Sequence, residues 1–275
     1  MSDRPREANT LLEGALRHER AVTSVLVLVT VASWTWIVLM ARDMYGTMRG
    51  ASAWMMTTQW DIAHVLLLWA MWAVMMTAMM LPSAAPLVLL YAAALHARHI
   101  RHATASIWAL GGGYLIVWGL FSAVATALQR ILTDAVVLTP MMEPYTPQMA
   151  AIVLALAGVY QLTPLKRACL HVCRSPLAYL LQRWRTGLFG ALRLGIEHGV
   201  YCLGCCWALM VVLLALGAMS VVPMLILAVV VITEKLWSKG EAFSRLVGVA
   251  CLVLAAGTIW FPGLAPGFMA STPGM

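Results

Sequence analysis

Apolar runs of about twenty residues, the length of a transmembrane helix, alternate along the chain with short polar stretches. Because lipid offers no hydrogen bonds, each run is expected to be a helix, whose backbone groups satisfy one another. The alternation of period two that marks a membrane barrel is missing from the pattern. We therefore predict an all-α, polytopic transmembrane bundle of about seven spans (six to eight). The runs cover roughly 21–41, 62–81, 106–128, 149–165, 195–217, 221–237 and 245–262.

The same pattern predicts how the chain is organised. Residues 1–20 form a charged N-terminal segment, residues 21–262 a single transmembrane domain, and residues 263–275 a flexible C-terminal tail. The long connection 166–193 mixes arginine with leucine, tyrosine and tryptophan, which indicates one amphipathic helix on the inner surface. Tryptophans in the first outer connection, 42–61, indicate a second helix lying at the membrane surface.

Two prolines follow the second apolar run, and about ten more apolar residues come after them. A straight helix over 62–95 would be about 51 Å long at 1.5 Å per residue, which exceeds the thickness of a bilayer. A proline inside a helix also removes one backbone hydrogen bond. We therefore expect a kink or a break at Pro82 and Pro86.

Composition supports the membrane assignment, and the distribution of basic residues predicts the orientation of the chain in the membrane. Hydrophobic residues make up 62% of the chain and charged residues only 11%, whereas about a quarter of a soluble domain is charged. With seven spans and the N-terminus inside, fifteen basic residues, Lys166 and Lys235 among them, fall on the inner side and three on the outer side. This asymmetry predicts a cytoplasmic N-terminus and an external C-terminus. The net charge of +7 then indicates contact with anionic lipid headgroups and not with nucleic acid.

The fifth apolar run contains an unusual cluster of soft metal ligands, HGVYCLGCC, at 198–206. His198, Cys202 and Cys205 recur at i, i+4 and i+7, so they share one helix face, and Cys206 lies at its edge. Thiolate and imidazole are ligands that suit copper(I) and zinc. Because seven residues rise about 10.5 Å, one helix cannot supply a complete site. Other ligands must come from a neighbouring helix.

The second run is the candidate donor, since ten of the nineteen methionines lie between residues 40 and 80. Thioether sulfur favours copper(I) over zinc. The second and fifth runs cross the membrane in opposite directions, so their sulfur-bearing segments lie at similar depth. We predict that the two helices pair and bring one of these methionine sulfurs within about 4–5 Å of a sulfur of Cys202, Cys205 or Cys206. The candidate methionines are Met75, Met76, Met79 and Met80.

Three other groups carry candidate chemistry. Cys169 and Cys173 belong to CLHVC in the inner connection, where a reducing cytosol would keep thiols free to dock a metal. Asp61 and His64 stand at i, i+3 near the outer end of the second run and form a candidate entry point. Glu197 is either a hydrogen-bonding partner of a ligating histidine or an interfacial charge.

Two other functions fit the same residues. CLGC, from Cys202 to Cys205, has the Cys-x-x-Cys spacing of thiol–disulfide centres, so the protein could be a membrane dithiol relay. A membrane oxidase that uses bound copper or iron is a third reading. In both cases the protein would be an oxidoreductase and not a metal carrier, and the residues alone leave its status as an enzyme open.

Three stretches resemble a bacterial family of predicted metal-binding integral membrane proteins that are often labelled copper chaperones. They are WAMWAVMMTAMMLPSAAP, YQLTPLKRACLHVCRSPL and GIEHGVYCLGCCWALM with EKL downstream, and they span about 69 to 236. The resemblance implies the bacterial cytoplasmic membrane and a metal role in handling, transfer or delivery to a partner metalloprotein. Copper(I) is the favoured metal, with zinc or iron as alternatives. As metal ligands, the resemblance implies Met75, Met76, Met79, Met80, Cys169, Cys173, His198, Cys202, Cys205 and Cys206.

Overall fold

The computed structural model describes residues 4–44, 46, 60–136, 146–217 and 220–260, with side chains described from residue 20 onward except at 214 and 215. All regular structure in these ranges is helical. The helices are α1 (Arg4–Met44), α2 (Ile62–Ala97), α3 (Ala103–Asp134), α4 (Pro147–Leu162), α5 (Pro164–Arg174), α6 (Pro176–Gln182), α7 (Gly187–Leu216), α8 (Val221–Leu236) and α9 (Gly240–Trp260).

Five of these helices are long and apolar enough to cross a membrane: α1 from Arg20 onward, α2, α3, α7 and α9. The consecutive helices α4 and α5, bent by 66° relative to each other, pass the same test together and form a broken span or a re-entrant loop. α8 is apolar as well, with 16 residues. The predicted all-α, polytopic bundle is confirmed, and the number of spans is close to the seven expected.

Some predicted features lie outside the described residues. These are the 263–275 tail and most of the surface helix expected at 42–61. The helix α1 begins at Arg4 and runs without interruption to Met44, and its membrane-length apolar part begins at Arg20.

Of the kink or break expected in the second span, a break is absent, since α2 continues as a helix through Pro82 and Pro86. Pro82 has no N–H to donate to the carbonyl of Ala78, one turn earlier. The indole N–H of Trp34 on α1 donates to that carbonyl instead, at 3.2 Å. Nearby, the Met80 carbonyl, which neither proline deprives of its helical donor, accepts hydrogen bonds from Ser83 Oγ (2.7 Å) and from the Tyr114 hydroxyl on α3 (3.1 Å). A side chain of α1 therefore replaces the hydrogen bond that Pro82 removes from α2.

The inner connection forms two short helices where one surface helix was predicted. Thr163 is extended because it precedes Pro164, and its hydroxyl caps α5 by accepting from the N–H of Lys166. The resulting bend turns α5 back along α7, where a Cβ on Gly204 would lie 2.8 Å from Cys169 Sγ. α5 is thus packed into the bundle, with Lys166, Leu170 and Cys173 buried.

The helix that packs most closely on α7 is α3, while α2, with which a pairing was predicted, lies farther from α7. Their backbones almost touch, because a Cβ on Gly113 would overlap the carbonyl of Leu192 and one on Gly195 would overlap that of Leu110. Small residues permit such close approach between membrane helices. α2 instead meets α7 through side chains, across the centre of the bundle.

Candidate metal centre

The predicted sulfur ligands of α2 and α7 all point into the protein and away from lipid. Met75, Met76, Met79 and Met80 on α2, and Cys202, Cys205 and Cys206 on α7, are each at most 1% exposed. They belong to one core cluster that also contains Cys173 of α5. A metal–thiolate group would be costly in hydrocarbon, so enclosure by protein is a requirement for a site at this position.

The two predicted helices meet through sulfur. Cys206 Sγ lies 3.7 Å from Met80 Sδ, inside the separation expected from the sequence. The predicted contact is therefore present, although the helix backbones are not close neighbours. The backbone carbonyl of Met80 accepts hydrogen bonds from Ser83 and from Tyr114, which fixes the backbone that carries this sulfur.

A second sulfur pair lies beside the first. Cys205 Sγ is 3.9 Å from Cys173 Sγ, because the bend before Pro164 brings α5 against α7. The thiols of Cys205 and Cys206 both donate to the carbonyl of Cys202, at 3.1 and 2.8 Å. The two pairs, which we call the sulfur centre (Met80, Cys173, Cys205 and Cys206), are thus joined through adjacent residues of one helix turn.

Each of these two separations is suited to a pair of ligands that share one ion. With metal–sulfur bonds near 2.3 Å and tetrahedral angles, two sulfur ligands of one ion are about 3.8 Å apart. The described residues contain no group of three or more histidine, cysteine, aspartate or glutamate side chains arranged around a metal position. A site here would consequently depend on methionine as well as cysteine, and that donor set is typical of copper(I).

Cys202 has different neighbours from the other two cysteines of α7. Its sulfur receives a hydrogen bond from Lys235 Nζ at 2.9 Å and lies 3.1 Å from the Tyr114 hydroxyl. Lys235 also donates to Ser83 Oγ, at 2.9 Å. A cation, a phenol and a thiol from three helices therefore meet next to the sulfur centre.

Sequence reasoning missed Lys235 and Tyr114. Lys235 was counted among the basic residues at the membrane surface, but it is only 5% exposed. The available signal was the EKL stretch at the end of the sixth run, where two opposite charges follow a run of apolar residues. Ionisable residues within a membrane segment are functional candidates by default. Tyr114 gave no comparable signal, because tyrosine is common in apolar helices.

Lys166 was likewise counted as a surface charge, and it is fully buried. Its Nζ lies 2.7 Å from Glu234 Oε2, and Gln161 Nε2 donates to Glu234 Oε1 at 2.7 Å. This ion pair connects α5 to α8, one residue before Lys235. It fixes the helix that carries Cys169 and Cys173.

Cys169 itself is half-buried and lies against Gly204, outside the two sulfur pairs. The Tyr160 hydroxyl of α4 donates to the Gly204 carbonyl and so fixes the same turn of α7. Cys169 thus lies near the centre, but its sulfur makes none of the sulfur–sulfur contacts described above.

His198 is buried at the N-terminal end of the cysteine face, between the rings of Tyr114 and Tyr179. Its Nδ1 has no hydrogen-bond partner in the described part of the chain. Burial raises the pKa of Tyr179, so that phenol stays protonated and donates to the carbonyl of Leu194. A polar cavity of about 120 Å³, which we call the inner cavity, connects this region with the segment between α5 and α6. Its lining includes Ser83, Cys173, Arg174, His198 and Lys235.

Two further candidates have structural roles. Glu197 pairs with Arg183, Arg185 and Arg193 at 3.0, 3.2 and 2.9 Å, so three guanidinium groups engage its carboxylate. Asp61 caps α2 by accepting from the N–H of His64 at 2.8 Å, which accounts for their i, i+3 spacing.

Comparison with known protein families places these residues in a wider context. The chain matches the family described as PpoB2, copper chaperone, over residues 69–258. No curated protein and no solved structure matches it. The matched region takes in every member of the sulfur centre, together with Tyr114, Lys166 and Lys235. This helical membrane protein therefore belongs to the PpoB2 copper chaperone family.

Proposed function

We propose that the protein binds copper(I) at the sulfur centre and passes it on toward a partner metalloprotein. The observation that carries the proposal is the meeting of two sulfur pairs, Met80 with Cys206 and Cys173 with Cys205, on one turn of α7. Three helices contribute, so the set depends on the folded bundle. Soft donors of this kind favour copper(I) over zinc and iron.

Charge balance supports the same reading. If two of the three cysteines of the centre bind one copper(I) ion as thiolates and the third stays protonated, the group carries a net charge of −1, which would be costly in a buried position without a counter-charge. The ammonium group of Lys235 supplies that counter-charge, since it donates to Cys202 Sγ beside the centre. We assign Lys235 as a positioning residue that compensates the loaded site.

The inner cavity supplies a route for transfer. It is lined by Cys173 of the sulfur centre and by His198, whose buried Nδ1 is available as a ligand. Copper(I) would leave the centre through Cys173 and His198 toward the segment between α5 and α6. In the bacterial inner-membrane orientation that we propose, with the N-terminus cytoplasmic, this segment faces the cytoplasm. A topology reporter fused after Gln182 would test that orientation.

The alternative function is a dithiol relay between Cys202 and Cys205. The described contacts of these two sulfurs lead to different partners, Lys235 for Cys202 and Cys173 for Cys205. A carrier is expected to keep all its cysteines reduced through copper loading and release. A disulfide that forms and breaks with a redox partner would instead establish the relay.

Removing one sulfur from the centre should weaken copper(I) binding. We expect Met80→Leu and Cys206→Ser to lower the affinity at least about 10-fold, since even the loss of a group that only supports a ligand costs 10- to 100-fold. Leucine conserves the volume of methionine, so the fold should be retained. The measurement is anaerobic competition of the detergent-purified protein against a copper(I)-specific chelator.

Matched controls are available elsewhere in the chain. Met149→Leu on α4 and Cys251→Ser on α9 make the same chemical changes outside the centre, and their copper affinity should equal that of the wild type. If Met80→Leu and Cys206→Ser also bind like the wild type, the sulfur centre is not the copper site.

A further inference from the structure

A small cavity between α1, α2 and α8 is lined by four methionines. Its volume is about 20 Å³, and Trp36, Ile37 and Ala41 complete its walls. We call it the methionine cavity. The four methionines are Met40 of α1, Met71 and Met75 of α2, and Met224 of α8.

Helix register places this cavity on the side of the sulfur centre away from Lys235. Lys235 contacts Ser83, so α8 and α2 are level at that point. Met224 lies eleven residues before Lys235, and Met71 twelve before Ser83, which are about 16 and 18 Å along the respective helices. The register of α1 gives the same placement. Trp34 contacts the Ala78 carbonyl, and Met40 lies six residues farther along α1, toward the end of the bundle that contains Met71 and Met224.

The chemistry of the cavity is selective. Its methionine sulfurs are neutral soft donors, and Met71, Met75 and Met224 are at most 4% exposed. Neutral thioethers bind copper(I) but are poor ligands for the harder divalent cations. A cavity holds one water-sized guest when it offers roughly 10–15 Å³, so this volume fits a single ion.

A continuous row of buried methionines connects the cavity with the sulfur centre. Met75 lines the cavity, Met76 and Met79 follow it on α2, and Met80 contacts Cys206. From Met75 to Met80 the helix rises about 7.5 Å. Thioether donors therefore extend along α2 from the cavity to Met80, whose sulfur contacts Cys206.

We propose that the methionine cavity is a separate copper(I) acceptance site, from which the ion passes along α2 into the sulfur centre. This inference rests on the proposed function of the centre. Copper–thioether bonds break as copper–thiolate bonds form, each ligating thiol releases its proton to water, and copper stays in the +1 state throughout. Because a thiolate binds copper(I) more tightly than a neutral thioether, the transfer runs from the cavity to the centre.

The test separates the rate of loading from the final affinity. A copper(I)–chelator complex is mixed anaerobically with the purified full-length protein, and the thiolate-to-copper absorbance in the ultraviolet is followed over time. The double variant Met71→Leu/Met224→Leu should load at least about 10-fold more slowly, in line with the cost of removing a metal's supporting groups. Its affinity at equilibrium should remain within about twofold of the wild type, because the sulfur centre is intact.

Met149→Leu serves as the control and should load at the wild-type rate. A double variant that loads as fast as the wild type overturns the acceptance site. A double variant that loses equilibrium affinity as Met80→Leu does also overturns it, because Met71 and Met224 would then belong to the centre. Failure of the centre has a different signature, which is unchanged affinity in Cys206→Ser.

Discussion

Replacing Lys166 by methionine is expected to destabilise the folded protein by about 3–5 kcal/mol, because Glu234 would be left as an uncompensated buried charge. The ammonium group and the carboxylate are 2.7 Å apart, and neither side chain is more than 1% exposed. Removing both charges should be far less harmful than removing one. The double variant Lys166→Met/Glu234→Leu should therefore recover much of the lost stability.

The free energy of unfolding in mixed micelles measures this effect. Arg193→Met is the matched control, because its guanidinium pairs with Glu197 at 2.9 Å but is 57% exposed. An exposed pair contributes about 0–1 kcal/mol. Equal losses for Lys166→Met and Arg193→Met would contradict the buried ion pair. Loss of the ion pair in Lys166→Met should also displace α5, which carries Cys173. Copper binding should therefore weaken in this variant.

Substituting alanine for Gly113 should be the second large effect, and its neighbour Gly112 provides the contrast. A Cβ on Gly113 would overlap the Leu192 carbonyl, whereas a Cβ on Gly112 would meet nothing within 4 Å. Overpacking of this kind costs about 1–3 kcal/mol or more. Gly112→Ala, in contrast, should stabilise α3 by up to about 1 kcal/mol, since alanine is the better helix former.

Both variants can be compared by unfolding in mixed micelles and by copper affinity. Gly113→Ala should lower both, because it forces α3 away from α7, which carries three of the cysteines. Gly112→Ala should lower neither. Identical behaviour of the two variants would show that α3 and α7 are not in backbone contact at Gly113.

The sequence predicted the membrane fold because long apolar runs leave the chain few alternatives in a bilayer. It also predicted the contact of α2 with α7, since both runs carry soft ligands at similar depth. It did not predict that α3 would be the close neighbour of α7. Helix order in a bundle is set by small-residue contacts such as Gly113 with Leu192, which single-helix patterns do not reveal.

The role of the lysines was missed for a related reason. A lysine at the end of an apolar run reads as a surface charge under the positive-inside rule. Lys166 and Lys235 are buried because Glu234 and Cys202 face them from other helices. The partners are distant in sequence, so only the folded structure shows that these two charges are paired inside.

The unbroken course of α2 through two prolines has the same origin. Its prolines correctly indicated a lost backbone hydrogen bond that another group must replace. The Trp34 indole donates to the Ala78 carbonyl, which Pro82 deprives of its donor, and the Tyr114 hydroxyl donates to the nearby carbonyl of Met80. The proline region is therefore where polar side chains gather, and the sulfur centre lies beside it.

The most direct test of the copper centre is X-ray absorption at the copper edge on protein loaded with one equivalent of copper(I). The sulfur centre predicts a first shell of sulfur at about 2.3 Å, with a copper–selenium distance appearing when the methionines are replaced by selenomethionine. The selenium contribution should disappear in selenomethionine-labelled Met80→Leu protein. A first shell of nitrogen or oxygen, or a spectrum in which selenium is absent from the start, would contradict the account.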